Sequence, residues 1–228
     1  MSRLGTILDF GVHLGANYAQ TVRFWVINQP SVESRLSGGM MKKYLYACIF
    51  ALGLSPHALA GEIEKRSKDS RIVVGDFMVL LKKELKGAMK EGGPTNAIKV
   101  CKNKAPEIAA DMSQKQGWRV ARTSLKLRNP QNEADAWEVK VMNEFEKRKA
   151  AGEEIKTLEY AEIVKTDGKK QFRYMKAIPT GKVCLKCHGE KIDPDVEASL
   201  KQNYPRDKAR GFKEGDIRGA FTLSLIHI

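Results

Sequence analysis

Residues 182–190, KVCLKCHGE, bring two thiols and an imidazole together. Cys184 and Cys187 are three positions apart, and His188 follows directly. Covalent haem attachment, zinc binding and thiol–disulfide exchange all use such sets. C-x-x-C-H is the attachment signature of c-type haem. Each thiol adds across one vinyl group, and two intervening residues let both sulfurs reach their vinyls. The next residue then lies beneath the iron and offers a ring nitrogen. A zinc site would recruit Cys101 to make a Cys3His set with Cys184, Cys187 and His188. Side chains of adjacent residues diverge, however, so Cys187 and His188 seldom meet at one small ion. A thioredoxin-like exchanger sets CxxC at the start of a helix after a parallel strand. Here the motif follows a hairpin and the loop Pro179-Thr180-Gly181. A structural disulfide is the remaining alternative. The motif occurs once, so the expectation is one covalent haem c, held by Cys184 and Cys187 with His188 on the iron.

The other side of the iron is less determined. Of four histidines, His13 and His57 precede the expected mature chain and His227 lies at its doubtful end. Bis-histidine ligation is therefore set aside, unless a different C-terminus supplies a second ring. The candidates are Met78, Met89, Met112, Met142, Met175, Cys101 or no protein group. Cys101 is the odd cysteine of a chain read as exported. It lies on the apolar face of a helix, with Lys99, Lys102 and Lys104 nearby to favour a thiolate. A buried core thiol fits the same spacing, and both readings stay open on the residues alone.

The elements that position these groups follow from periodicity. Val73, Phe77, Leu80, Leu81, Leu85 and Ala88 recur at helical spacing over residues 64–90. Gly92-Gly93 ends that helix, and Pro94 opens a second one, where its missing N–H is harmless. The second helix carries Ile98, Cys101, Ala105, Ile108 and Met112 on one face. Pro106 inside it is expected to kink the helix one turn past Cys101. Residues 118–124 alternate as a strand. A helix is expected from about Glu133 to Lys149. Strands over 157–165 and 171–178 flank the turn Asp167-Gly168. A short helix over 193–202 and a strand over 216–222 complete an α+β chain.

The ends carry separate signals. Residues 40–60 read as a secretory signal peptide: Lys42-Lys43, an apolar run from Tyr44 to Leu54, and Ala58-Leu59-Ala60 for cleavage. The run is shorter than the roughly 20 residues of a bilayer span, so no membrane span is expected in the mature chain, which is placed in the periplasm. Residues 1–39 lack helical or strand periodicity and are read as an upstream extension from a misplaced start. Residues 223–228, LSLIHI, match the translation of a sequencing-library adapter and are read as a scar. The domain proper is then 61–222. The chain's formal charge of +13 falls only to near +10 without residues 1–60. Acids are interspersed with the bases, and no aromatics are interleaved for stacking, so nucleic acid is excluded as a partner. A basic surface suits an acidic redox partner or an anionic membrane surface instead.

Four stretches add a resemblance: AIKVCKNKAPEIA (97–109), RTSLKLRNPQNEADAWE (122–138), CLKCHG (184–189) and GDIRGAFT (215–222). Through them, residues from about 65 to 222 resemble a family of exported monohaem c-type proteins, also found as sensor domains of bacterial signalling proteins. The resemblance implies a PAS-like antiparallel sheet with long N-terminal helices and flanking helices. It also implies an iron held by His188 and Cys101. A redox or gas sensor, with CO or NO reaching the iron and a partner protein carrying the signal, is the function so implied. A soluble electron carrier is the alternative. An enzyme is not expected, because a peroxidase-like site needs acid–base groups and no distal histidine is available.

Overall fold

A computed structural model describes residues 56–166 and 168–226. The upstream extension read at 1–39, residues 40–55 of the signal peptide, Asp167 and His227 lie outside them. Among the described residues no helix is long and apolar enough to cross a membrane.

Helix α1, Pro56–Gln116, is two helices joined at a break. Gly92 and Gly93 alone depart from helical angles, and Gly93 has φ of 65°. A side chain there would be strained, so the glycine is what permits the turn. Beside the break, the Asn96 amide donates to the Ala88 carbonyl at 3.2 Å, and Pro94 restarts the helix. Pro106, where a kink is expected, lies inside the second helix with its backbone angles still helical, so the chain continues through it to Gln116.

Strand β1, Arg119–Thr123, leads through a short turn, Pro130–Asn132, into helix α2, Ala136–Ala150. This helix starts later than the expected Glu133. The reason is a capping box: the Glu138 N–H donates to Asp135, and Glu138 reaches back to the Asp135 N–H. Strands β2, Glu159–Thr166, and β3, Lys169–Pro179, form the hairpin. Helices α3, Leu185–His188, and α4, Pro194–Asn203, precede strand β4, Ile217–Ile226. The last strand continues past the expected end at Thr222. Its alternation persists there, with Leu223 fully buried and Ser224 registered against Arg119 and Arg173.

The sheet is antiparallel in the order β1-β4-β3-β2. Strand alternation gives it two apolar faces. On one, Phe172 and Tyr174 of β3 and Phe221 and Leu223 of β4 pack against Val73, Val74, Phe77 and Met112 of α1. The Phe77 and Phe221 rings lie 5.2 Å apart. On the other, Met175, Ala177 and Ala220 meet Val141, Met142 and Phe145 of α2. A third cluster joins Ile98 of α1 to Val196 and Leu200 of α4, with Cys187 and Tyr204 against it. The architecture is α+β, consistent with the expected PAS-like sheet between helices.

Candidate functional site

Strand β3 leaves the sheet at Pro179. Its exit is held by two bonds: the Thr180 N–H donates to the Asp216 carbonyl at 2.8 Å, and the Gly215 N–H donates to Thr180 at 2.9 Å. A 3-10 turn, Lys182–Cys184, runs into α3. Three-residue spacing on these turns sets Cys184 and Cys187 on neighbouring positions of one face. Gly189 closes α3, donating to the Leu185 carbonyl at 2.9 Å. A Cβ at Gly189 would stand 2.6 Å from that same oxygen, so the tight exit needs glycine.

Residues 207–212 wrap the histidine. Phe212 and Gly211 donate their N–H groups to the carbonyls of His188 and Gly189, each at 3.0 Å. The Phe212 ring meets the imidazole edge-on at 6.2 Å. Nδ1 of His188 lies 2.9 Å from the Ala209 carbonyl oxygen. The Arg218 Nε–H approaches the same nitrogen at 3.2 Å, but the shorter contact is to a carbonyl, which only accepts, so Nδ1 carries the proton and donates it to Ala209. That leaves Nε2 as the nitrogen with a free lone pair, the form an imidazole takes as a metal ligand. Burial pushes the His188 pKa well below its ordinary value, and the charges of Arg218 and Arg128 push the same way. The ring is therefore neutral.

Cys101, Cys184, Cys187 and His188 line one cleft of about 260 Å³. All three thiols are free and half-buried. Burial pushes the Cys101 thiol up, while Arg122 pulls it down less strongly. The expected help from flanking lysines is absent: Lys104 pairs with Glu107 at 2.8 Å, and Lys102 lies over the Tyr204 ring. The cations acting on the sulfur are Arg122 and Arg128 instead. Of the methionine candidates, Met78 and Met89 line the cleft. Met112 of α1 is packed against the sheet, and Met142 of α2 and Met175 of β3 are packed together on the other face. Among the described residues no three His, Cys, Asp or Glu side chains are grouped to hold an ion.

The cleft wall is apolar where α1 supplies Leu81, Leu85 and Ile98, and cationic where Arg122, Arg128 and Arg218 face it. Arg128 donates to the Cys187 carbonyl, and to Asp207 at 3.1 Å and Ala209 at 3.3 Å. It thereby ties the motif to the loop that orients His188. Its Nη1 and the Arg218 Nε also lie 3.4 and 3.5 Å from His188 Nε2. Gly219 is required in the same wall: its Cβ would stand 2.4 Å from the Thr123 carbonyl oxygen of β1. The three arginines and Asp207 escaped the reading by motif. Single basic residues carry no spacing signal in a chain with 40 Lys and Arg.

An apolar wall, a neutral imidazole, three thiols and a cationic rim suit a broad, partly acidic cofactor better than a bare ion. The fold has a counterpart of known structure. It is similar to the crystal structure of the cyanobacterial heme-protein Tll0287, with a TM-score of 0.55 and 23% identity, over 72% of this chain and 96% of that one. No curated protein matches this chain. The sequence model of the Tll0287-like family matches residues 40–225, a span that takes in Cys101, the CxxCH motif and all four strands almost to the end of β4, and the chain belongs to that family.

Proposed function

We propose that this is an exported monohaem c-type protein that acts in redox or gas sensing. In this reading Cys184 and Cys187 carry the haem, His188 and Cys101 are its iron ligands, and the protein works without catalytic turnover in the periplasm. The observation that carries the reading is the convergence of Cys101, Cys184, Cys187 and His188 on one cleft, with Nδ1 of His188 committed to Ala209. The absence of any three-ligand ion group among the described residues weighs against zinc. The haem named in the Tll0287 counterpart is further support.

The bound haem would supply one-electron chemistry and a place for a diatomic gas. The chain's own residues do the rest. His188 presents Nε2 in a fixed orientation. Leu81, Leu85 and Ile98 line the cleft with apolar side chains that would keep water from a bound cofactor. Cys101, as an anionic ligand, would be held more weakly by a less positive iron, which would make it the ligand suited to exchange. A redox or signalling partner protein would read that exchange. An unchanging ligand pair would favour the second reading, a soluble electron carrier, and Met78 and Met89 in the cleft supply the alternative ligands.

The test is expression of the full chain in a host that matures c-type haem, with oxidised and reduced visible spectra beside those of Cys101→Ala. The expected result is covalent haem in both proteins and a thiolate signature lost in the variant. Binding of CO by the reduced protein favours sensing. Spectra indifferent to Cys101 reject it as a ligand, and a chain without covalent haem rejects the whole reading.

A further inference from the structure

The cleft carries more positive charge than its surroundings neutralise. Arg122 of β1, Arg128 of the following loop and Arg218 of β4 all face it. Arg128 is matched, since Nη2 meets the buried Asp207 carboxylate at 3.1 Å. Arg218 contacts only neutral groups: Ser124 Oγ at 3.0 Å, the Lys126 carbonyl at 3.4 Å and the His188 ring. The Arg122 guanidinium lies over the Phe77 ring, 5.7 Å from its centroid. Among the described residues neither Arg122 nor Arg218 has a carboxylate partner, while Arg128 in the same wall does.

A guanidinium held in a cleft without an anion is costly, and a planar fork of donors matches a carboxylate best. Burial accordingly pushes the pKa of both groups down, that of Arg218 to about 10. The cleft thus offers two unmatched forks beside an apolar wall. That is the complement of a ligand with an apolar body and two acid groups. Resting on the haem reading above, we infer that Arg122 and Arg218 are its carboxylate-binding residues, each taking one of the two propionates. Arg128 is left out because Asp207 already holds it. Arg218 gains a second role. A bond to a carboxylate is stronger than one to a neutral ring nitrogen, so engaging a propionate would draw its Nε away from the His188 ring, where it lies 3.2 Å from Nδ1 and 3.5 Å from Nε2.

The test needs an exchangeable ligand. The full chain carrying Cys184→Ala and Cys187→Ala is titrated with haem and with haem dimethyl ester, which lacks the acid charge. The same titrations are run with Arg122→Gln or Arg218→Gln added. The expected result is a preference for haem over its ester of about tenfold or more per arginine, the weight of one charged hydrogen bond. Each glutamine variant should lose its share of that preference. The Arg122 side chain makes no hydrogen bond to a described residue and only lies over the Phe77 ring, so Arg122→Gln decides the matter even if Arg218→Gln fails to fold. Variants that keep the full preference overturn this inference while leaving the haem reading intact. An unsubstituted chain that matures without covalent haem overturns both.

Discussion

Asp207→Asn probes the support beneath the cleft. Asp207 is 2% exposed and faces Arg128, which is 10% exposed, at 3.1 Å, and Arg210 at 3.2 Å. Its other oxygen accepts the Ala209 N–H at 2.9 Å, shaping the loop whose carbonyl orients His188. The substitution keeps the shape and that second oxygen but turns one charged acceptor into an amide. Removing one partner of a buried pair costs about 3–5 kcal/mol, because the other charge stays buried. Two features favour the lower end. Arg128 keeps the carbonyls of Cys187 and Ala209, and Arg210 is 30% exposed and keeps Glu197. The expected loss is about 3 kcal/mol. With a urea slope of about 2 kcal/mol/M, the unfolding midpoint falls by about 1.5 M at unchanged slope. Asp111→Asn is the control. It removes an exposed pair with Lys115 and should move the midpoint by about 0.2 M or less. If Asp207→Asn shifts the midpoint no further than Asp111→Asn, the buried pair is not what holds the loop.

Other substitutions test the remaining layers. Gly219→Ala drives a methyl to 2.4 Å from the Thr123 carbonyl; β1 must shift, with an expected loss of about 1–3 kcal/mol in urea unfolding. Tyr174 is fully buried and donates to Glu159 at 2.8 Å. Tyr174→Phe should therefore cost about 1.5 kcal/mol, a bond to a charged acceptor, by the same assay. Burial pushes the Glu159 carboxyl up, but Arg71, Tyr174 and Lys176 together hold it below its ordinary 4.5. A depressed carboxyl stabilises the fold above its unfolded value, and that contribution fades as pH falls through the folded one. Glu159→Gln should thus be less stable than the parent at neutral pH, with the gap closing below pH 4.5. A gap that persists in acid would refute the assignment.

Much of this fold was legible because its signals are local. The glycine pair, Pro94, Gly168 between the hairpin strands and the alternation of β3 each act within a few residues. The spacing of Cys184, Cys187 and His188 is local in the same way, since the adjacent turns of one segment place them. Errors arose where distant packing decides. Asp135 moves the start of α2 by capping it through Glu138. The Cys101 environment was misread because sequence neighbours were taken for spatial ones. Lys104 pairs with Glu107 and Lys102 lies over Tyr204, and the cations acting on the Cys101 sulfur come from β1 and the loop beyond. Nothing in the spacing of Arg122, Arg128, Asp207 and Arg218 links them; only the sheet register and the loop over His188 do.

Strand β4 has a consequence for the order of assembly. It lies between β1 and β3 and is the partner of both. A chain growing from its N-terminus makes α1, β1, the hairpin and the cysteine motif before it makes the strand that joins them. Until residues 217–226 arrive, β1 has no neighbour in the described sheet, and Arg218 and Gly219 are missing from the cleft wall. The motif thiols and His188 are therefore first presented on an unfinished domain, open to whatever chemistry meets them there. Closing the sheet and closing the cleft are one event, and a single late strand times both.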